Sequence, residues 1–76
     1  MLKERRVEKG LSQSQVAEII NTNRSYVSRF ETAPEHCNPT VDVIIGLSII
    51  LDLNRTEVFE YFAENREAHV EFEWFI

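Results

Sequence analysis

Two helix-start signals lie close together near the beginning of the chain. Ser12 and Gln15 form an S-x-x-Q capping box, so a helix should begin just after Ser12. Asn21 tolerates the left-handed backbone conformation that ends such a helix, and Asn23 is a good cap for the next one. Only about three residues then separate the two helices, and this spacing predicts a helix–turn–helix pair.

Three further helices are predicted around this pair. A first helix over residues 2–9 ends at Gly10, which suits the position after a helix. Thr40 can cap a fourth helix and Asn54 a fifth, so the predicted fold class is all-α with five helices. Gly46 lies inside the fourth helix, where glycine often marks the close approach of another helix. The residues expected to form the buried face of the fourth helix are Val41, Ile44, Ile45, Leu47, Ser48 and Leu51.

The C-terminal residues follow a different period. Apolar and polar side chains nearly alternate over residues 69–76, which is typical of a β-strand. A single strand is not stable alone, and its simplest partner is the same segment of a second copy, which predicts a homodimer. A helix is the alternative interpretation, because Phe62, His69, Phe72 and Ile76 then fall on roughly one face. The residues predicted to dimerise are Val70, Phe72, Trp74 and Ile76.

The length of 76 residues leaves room for a single small domain, placed at residues 1–66, with a tail over residues 67–76. The net charge of −5 is unevenly divided. Residues 1–30 hold six basic and three acidic side chains, a net charge of +3, whereas residues 31–76 hold two arginines and ten acids, a net charge of −8. An acidic protein binds polyanions poorly in general, but this asymmetry allows a basic surface in the N-terminal half.

Several function classes find no support in the sequence. Cys37 is the only cysteine, which excludes an intramolecular disulfide and fits a cytoplasmic protein. Together with His36 and His69 it lacks the ligand spacings of a zinc site, so no metal and no cofactor is expected. No nucleophile has an orienting partner, so we expect no catalytic residue and no enzymatic activity. No apolar stretch is long enough to span a membrane, and no membrane association is expected.

The first three quarters of the chain carry a family resemblance. The matching stretches are LKERRVEKGLSQSQVAEII, NTNRSYVSRFE and NPTVDVIIGLSIILDL, and the most specific part runs from Gly10 to Glu31. On these motifs the chain resembles the Cro/cI/Xre-type helix-turn-helix family of bacterial and phage DNA-binding regulators. The resemblance covers Leu2 to about Phe59 and implies a lambda-repressor-like fold that binds double-stranded DNA. Asn21 stands where the family commonly has a glycine in the turn.

The resemblance also implies roles for individual residues. The third helix corresponds to the recognition helix, which enters the major groove. Arg6 and Glu31 correspond to a structural ion pair between the first helix and the end of the third. The residues at base-contacting positions are Arg24, Ser25, Ser28 and Arg29. The residues at phosphate-contacting positions are Gln13, Tyr26 and Thr40.

The side chains of the third helix agree with this assignment. If the helix begins near Arg24, Val27 and Phe30 face inward and the basic and hydroxyl side chains face outward. Arginine can donate two hydrogen bonds to the major-groove edge of guanine. We therefore expect a transcriptional repressor that binds a palindromic operator as a homodimer, with its recognition helices about 34 Å apart.

An interaction protein of another class is the alternative. Small antitoxins can have the same fold, and the acidic aromatic segment HVEFEWFI could add a strand to the sheet of a protein partner. The aromatic side chains from Phe59 onward lie among acids, which repel nucleic acid. A core or dimer interface is therefore favoured over base stacking for these aromatic residues.

Overall fold

Five α-helices make up most of the described part of the chain. The computed structural model describes residues 1–67, and their helical content confirms the predicted all-α fold. None of these helices is long and apolar enough to cross a membrane. The predictions for the tail, including dimerisation through Val70, Phe72, Trp74 and Ile76, fall outside the described residues. The elements are α1 (Leu2–Glu8), α2 (Gln13–Ile19), α3 (Arg24–Thr32), a 3₁₀ turn (Pro34–His36), α4 (Val41–Ile50) and α5 (Arg55–Glu67).

Helices α2 and α3 begin at the predicted caps. Ser12 Oγ accepts a hydrogen bond from the Gln15 N–H at 3.0 Å, and Gln15 Oε1 accepts one from the Ser12 N–H at 2.8 Å. Asn23 Oδ1 accepts a hydrogen bond from the Tyr26 N–H at 2.8 Å. Between the helices, Asn21 has a φ of 59°, the left-handed conformation that asparagine tolerates. The sequence therefore determines the turn between α2 and α3 through local hydrogen bonds.

The hydrophobic core is centred on Phe30 of α3. Its ring packs edge-on against Tyr26 at 4.8 Å between ring centroids and against Phe62 of α5 at 5.3 Å. The Tyr61 hydroxyl donates to the Phe30 carbonyl at 2.6 Å. Helix α5 therefore lies on the inner side of α3. The other buried apolar residues are Leu2, Val16, Ala17, Val27, Cys37, Leu47, Leu51 and Val58.

Only part of the predicted face of α4 is buried. Leu47, Ser48 and Leu51 are buried, and Ile44 and Ile45 are half-buried. The prediction for the remaining residue, Val41, is wrong, because its side chain is 70% exposed. The sequence VDVIIGLSII is apolar on nearly every side of the helix, so its periodicity does not determine which side faces the core. The packing of α2 and α5 makes that choice.

Gly46 lies where α4 approaches the end of α2, as predicted. A Cβ atom at this position would lie 3.0 Å from Ile20 Cγ2. The absence of a side chain therefore lets the two helices pack closely. This contact holds the middle of α4, six residues after its Thr40 cap, against the end of α2.

Candidate nucleic-acid interface

The outer face of α3 is polar and accessible. Arg24, Ser25 and Arg29 are exposed and Ser28 is half-buried, whereas Val27 on the opposite side is 2% exposed. The four predicted base-contacting residues thus lie together on one surface of one helix. Its Asn23 cap and its packing through the inner face hold that surface rigidly.

The guanidinium groups of Arg24 and Arg29 form no ion pair with an acid among the described residues. Among residues 1–66, no carboxylate lies within 4.0 Å of either group. An arginine without an internal ion pair keeps its donors for an external anion or for base edges. The positive charges of both groups are therefore not neutralised by a described residue, and they lie on the outer face of α3.

Other basic residues of the N-terminal half have structural partners. Arg5 Nε donates to the Leu51 carbonyl at 2.9 Å and its Nη2 to the Asp52 carbonyl at 3.1 Å. Lys9 Nζ lies 3.6 Å from the Asp52 carboxylate. These contacts tie α1 to the end of α4. The basic surplus over residues 1–30 therefore overstates the charge available to DNA, and charge counting did not reveal this role of Arg5.

Arg6, Glu31 and Gln13 form one hydrogen-bonded cluster. Arg6 Nε donates to Glu31 Oε2 at 2.7 Å and Arg6 Nη2 donates to Glu31 Oε1 at 3.1 Å. Arg6 Nη1 donates to the Leu11 carbonyl at 2.8 Å. The hydrogen bond with Glu31 raises the pKa of Arg6. The Arg6 and Glu31 side chains are only 12% and 3% exposed, so the pair joins α1 to the end of α3 away from bulk water.

Gln13 is held in place by this cluster. Its Nε2 donates to Glu31 Oε1 at 3.1 Å, at the first residue of α2. A carboxylate only accepts hydrogen bonds, so the Gln13 amide nitrogen must point toward Glu31. The second N–H and Oε1 of the amide have no partner among the described residues. Gln13 is thus preorganised with one donor to spare, which the sequence alone did not indicate.

Tyr26 and Thr40 line a common groove. The groove has a volume of about 430 Å³ and is also lined by Asn38 and Asp42. Thr40 Oγ1 accepts a hydrogen bond from the Val43 N–H at 3.2 Å, which caps α4. Asn38 is an exposed polar side chain that sequence reasoning did not single out, because nothing in its local pattern marks it. The Asp42 carboxylate works against a phosphate at this position.

The acidic residues of α5 lie on the side of the domain away from the outer face of α3. Glu57, Glu60 and Glu64 line a shallow groove beside Tyr61, which contacts α3 from its inner side. Charges on the far side of the domain are screened beyond about 8–10 Å at physiological salt. The net charge of −5 is therefore compatible with a basic surface on α3.

The loop after α3 contains the His36–Cys37 pair. Cys37 is 5% exposed, and its Sγ lies 3.5 Å from the Ala33 carbonyl. Burial raises the pKa of the Cys37 thiol, which keeps it protonated and poorly nucleophilic. Within the described residues, no three His, Cys, Asp or Glu side chains come together as metal ligands.

The sequence matches the model of a known protein family. The model of a helix-turn-helix family matches residues 2–58, which is three quarters of the chain. This range includes the outer face of α3 together with Gln13, Tyr26 and Thr40. Neither a comparison with curated proteins nor one with solved structures finds a significant match.

Proposed function

The chain belongs to the Cro/C1-type helix-turn-helix family of DNA-binding regulators, and we propose that it represses transcription by binding a palindromic operator as a homodimer. The family is one of DNA-binding domains rather than enzymes. Such a protein acts in the cytoplasm, where a bound dimer blocks the access of RNA polymerase to a promoter.

The observation that carries this proposal is the outer face of α3. Arg24 and Arg29 are exposed and have no ion pair with a described residue, and Ser25 and Ser28 lie between them. Each arginine can bind a guanine through its O6 and N7 atoms, and the serine hydroxyls can donate to or accept from any base. An α-helix fits into the major groove, and the arginine and serine side chains on this face supply the hydrogen-bond donors that direct recognition of bases requires.

Three residues flank this surface and would orient it on the DNA backbone. Gln13 has a spare amide donor, and the hydroxyls of Tyr26 and Thr40 border one groove next to α3. Neutral donors of this kind bind phosphate oxygens and set the register of the recognition helix. We propose that they contribute affinity on every DNA sequence rather than specificity.

The proposed dimer follows from the short length of DNA that one recognition helix can contact. One recognition helix reads only a few base pairs, and two copies related by a twofold axis read a palindrome with half-sites about one DNA turn apart. The contacts between copies are assigned to the tail residues Val70, Phe72, Trp74 and Ile76. Val70, Phe72 and Trp74 alternate with two glutamates, and Phe75 separates Trp74 from Ile76.

Selection of bound duplexes from a random DNA pool at about 0.15 M salt tests this function. The expected result is a palindromic motif with half-site centres about 10 base pairs apart. Enrichment should be lost in an Arg24→Ala/Arg29→Ala variant and kept in Lys3→Ala, which removes a positive charge from exposed α1. Absence of enrichment with the natural chain would contradict the proposal and favour the alternative, an antitoxin-like protein whose tail binds a protein partner.

A further inference from the structure

An apolar groove runs along the outside of the domain between α4 and α5. It has two parts, with volumes of about 290 and 320 Å³, which share Ile44 and Phe59 as lining residues. Phe59 is 58% exposed and Val41, in the same groove, is 70% exposed. Large apolar side chains gathered in this way usually mark a surface that another segment covers.

None of the described residues on the α5 side of the groove is acidic. Its described lining residues recur every three to four positions, from Arg55 through Phe59 and Ala63 to Arg66. The glutamates of α5 that border a groove, Glu57, Glu60 and Glu64, lie on a different side of the helix. The groove is therefore apolar along its length and has a guanidinium near each end.

The chain beyond α5 has the complementary composition. Residues 68–76 read AHVEFEWFI, in which large apolar side chains surround Glu71 and Glu73. Nine extended residues span about 30 Å, whereas the 13 residues of α5 span about 20 Å. The segment is therefore long enough to line the whole groove, and its two glutamates complement the charge of the two arginines.

The composition of the connection favours the groove of another copy. The residues between Arg66 and Phe72 read EAHVE, with no glycine, proline, asparagine or aspartate that would favour a sharp reversal. A segment that continues away from the end of its own α5 reaches a neighbouring molecule more readily than its own groove. A symmetric pair can make the exchange twice, since the same surfaces meet on both copies.

We propose that residues 70–76 of each copy occupy the α4–α5 groove of a second copy, with Phe72, Trp74 and Ile76 inserted. Glu71 and Glu73 then lie on the outer side of the segment, attracted by the positive charges of Arg55 and Arg66 at the ends of the groove. This deepens the homodimer proposed above and rests on it, but it does not rest on DNA binding. Buried aromatic side chains contribute about 150–250 Å² each. Counted over both copies and both surfaces, Phe72 and Trp74 alone give about 1,200–2,000 Å², the range of stable interfaces.

Trp74 offers a direct probe, because it is the only tryptophan of the chain. Its emission should be blue-shifted in the dimer and should move to the red on dilution, in parallel with the fall in mass measured by sedimentation. Phe59→Glu places a charge in the groove at an exposed site, so the fold tolerates it while the dimer dissociation constant rises at least about tenfold. Ile49→Glu is the control, at an apolar residue of α4 that is 75% exposed and does not line the groove, and this variant should stay dimeric.

Mixing two full-length variants separates exchange between copies from docking within one copy. The Phe72→Asp/Trp74→Asp variant keeps the groove but has no tryptophan, and Phe59→Glu keeps the tail but has a blocked groove. Each alone should dimerise far more weakly than the natural chain. Together, at concentrations well above the dissociation constant of the natural dimer, they should form a mixed dimer held by one exchange instead of two, in which the remaining Trp74 emission shifts to the blue. The proposal would be overturned if either variant alone dimerised as tightly as the natural chain. It would also be overturned if the Trp74 emission of the natural chain did not change with concentration, or if mixing the variants caused no shift of the emission. These measurements contain no DNA, so a failed DNA selection leaves their outcome unaffected.

Discussion

The Arg6 guanidinium donates two hydrogen bonds to the Glu31 carboxylate, at 2.7 and 3.1 Å, and thereby joins α1 to the end of α3. Glu31 also accepts a hydrogen bond from Gln13, one of the proposed phosphate contacts. A single carboxylate therefore orients a side chain of the proposed DNA-binding surface and stabilises the packing behind it.

Glu31→Gln should lower the free energy of unfolding by about 3 kcal/mol. The substitution removes the Glu31 carboxylate and leaves the charged Arg6 side chain, which is only 12% exposed, without a carboxylate partner. Urea denaturation at pH 7 measures the effect. Glu64→Gln, at an exposed position, is the control and should change stability by less than about 0.5 kcal/mol. Equal losses in the two variants would show that the pair contributes no more than a surface charge.

Arg29→Ala and Gln13→Ala should weaken DNA binding in different ways. Loss of an arginine that binds a guanine costs about 1–3 kcal/mol and relaxes specificity at one base pair. Loss of a phosphate contact weakens every sequence alike, by about 1 kcal/mol. Affinities for the selected operator and for its single-base variants distinguish the two effects. If both variants lost affinity equally on every DNA sequence, the assignment of Arg29 as a base-contacting residue would be wrong.

The burial of Tyr61 should make stability depend on pH. Burial raises the pKa of Tyr61 to about 12 from an ordinary value of 10.0, so the folded protein holds the phenolic proton more tightly than the unfolded chain. The resulting stabilisation is complete below pH 10 and is lost as the pH rises toward 12. Between pH 8 and pH 11 the natural chain should lose about 1 kcal/mol relative to Tyr61→Phe.

Denaturation of both proteins at the two pH values measures this difference, and titrations shared by both cancel. At pH 8, Tyr61→Phe should be less stable by about 1 kcal/mol, because the Phe30 carbonyl loses its donor. A gap between the two proteins that stays constant from pH 8 to pH 11 would contradict the raised pKa.

Gly46→Ala should destabilise the protein by about 1 kcal/mol, although alanine favours a helix by a similar amount. The new Cβ would lie 3.0 Å from Ile20 Cγ2, and a β-branched side chain cannot easily rotate away. In an Ile20→Ala background the same change should stabilise the protein by about 0.5–1 kcal/mol. A double-mutant cycle by urea denaturation tests this reversal of sign, and additive effects would rule out the steric contact.

The local sequence determined the helix boundaries of the described residues. Ser12, Asn23 and Thr40 are caps whose side chains bind backbone groups within three residues, so no distant partner is needed. The left-handed conformation of Asn21 is equally local. The family motif also singled out the outer side chains of α3, since their separation from Val27 and Phe30 depends only on helical geometry. Their contacts with DNA stay predictions.

The tertiary structure determined which residues contact each other when they lie far apart in the sequence. The sequence shows that Pro34, four residues after Phe30, cannot donate to the Phe30 carbonyl, but only the packing of α5 supplies the Tyr61 hydroxyl. Likewise, counting charges could not separate Arg5, held at the end of α4, from Arg29, which has no ion pair with a described residue. Caps and turns depend on neighbours in the chain, whereas burial and ion pairing depend on which helices meet in space.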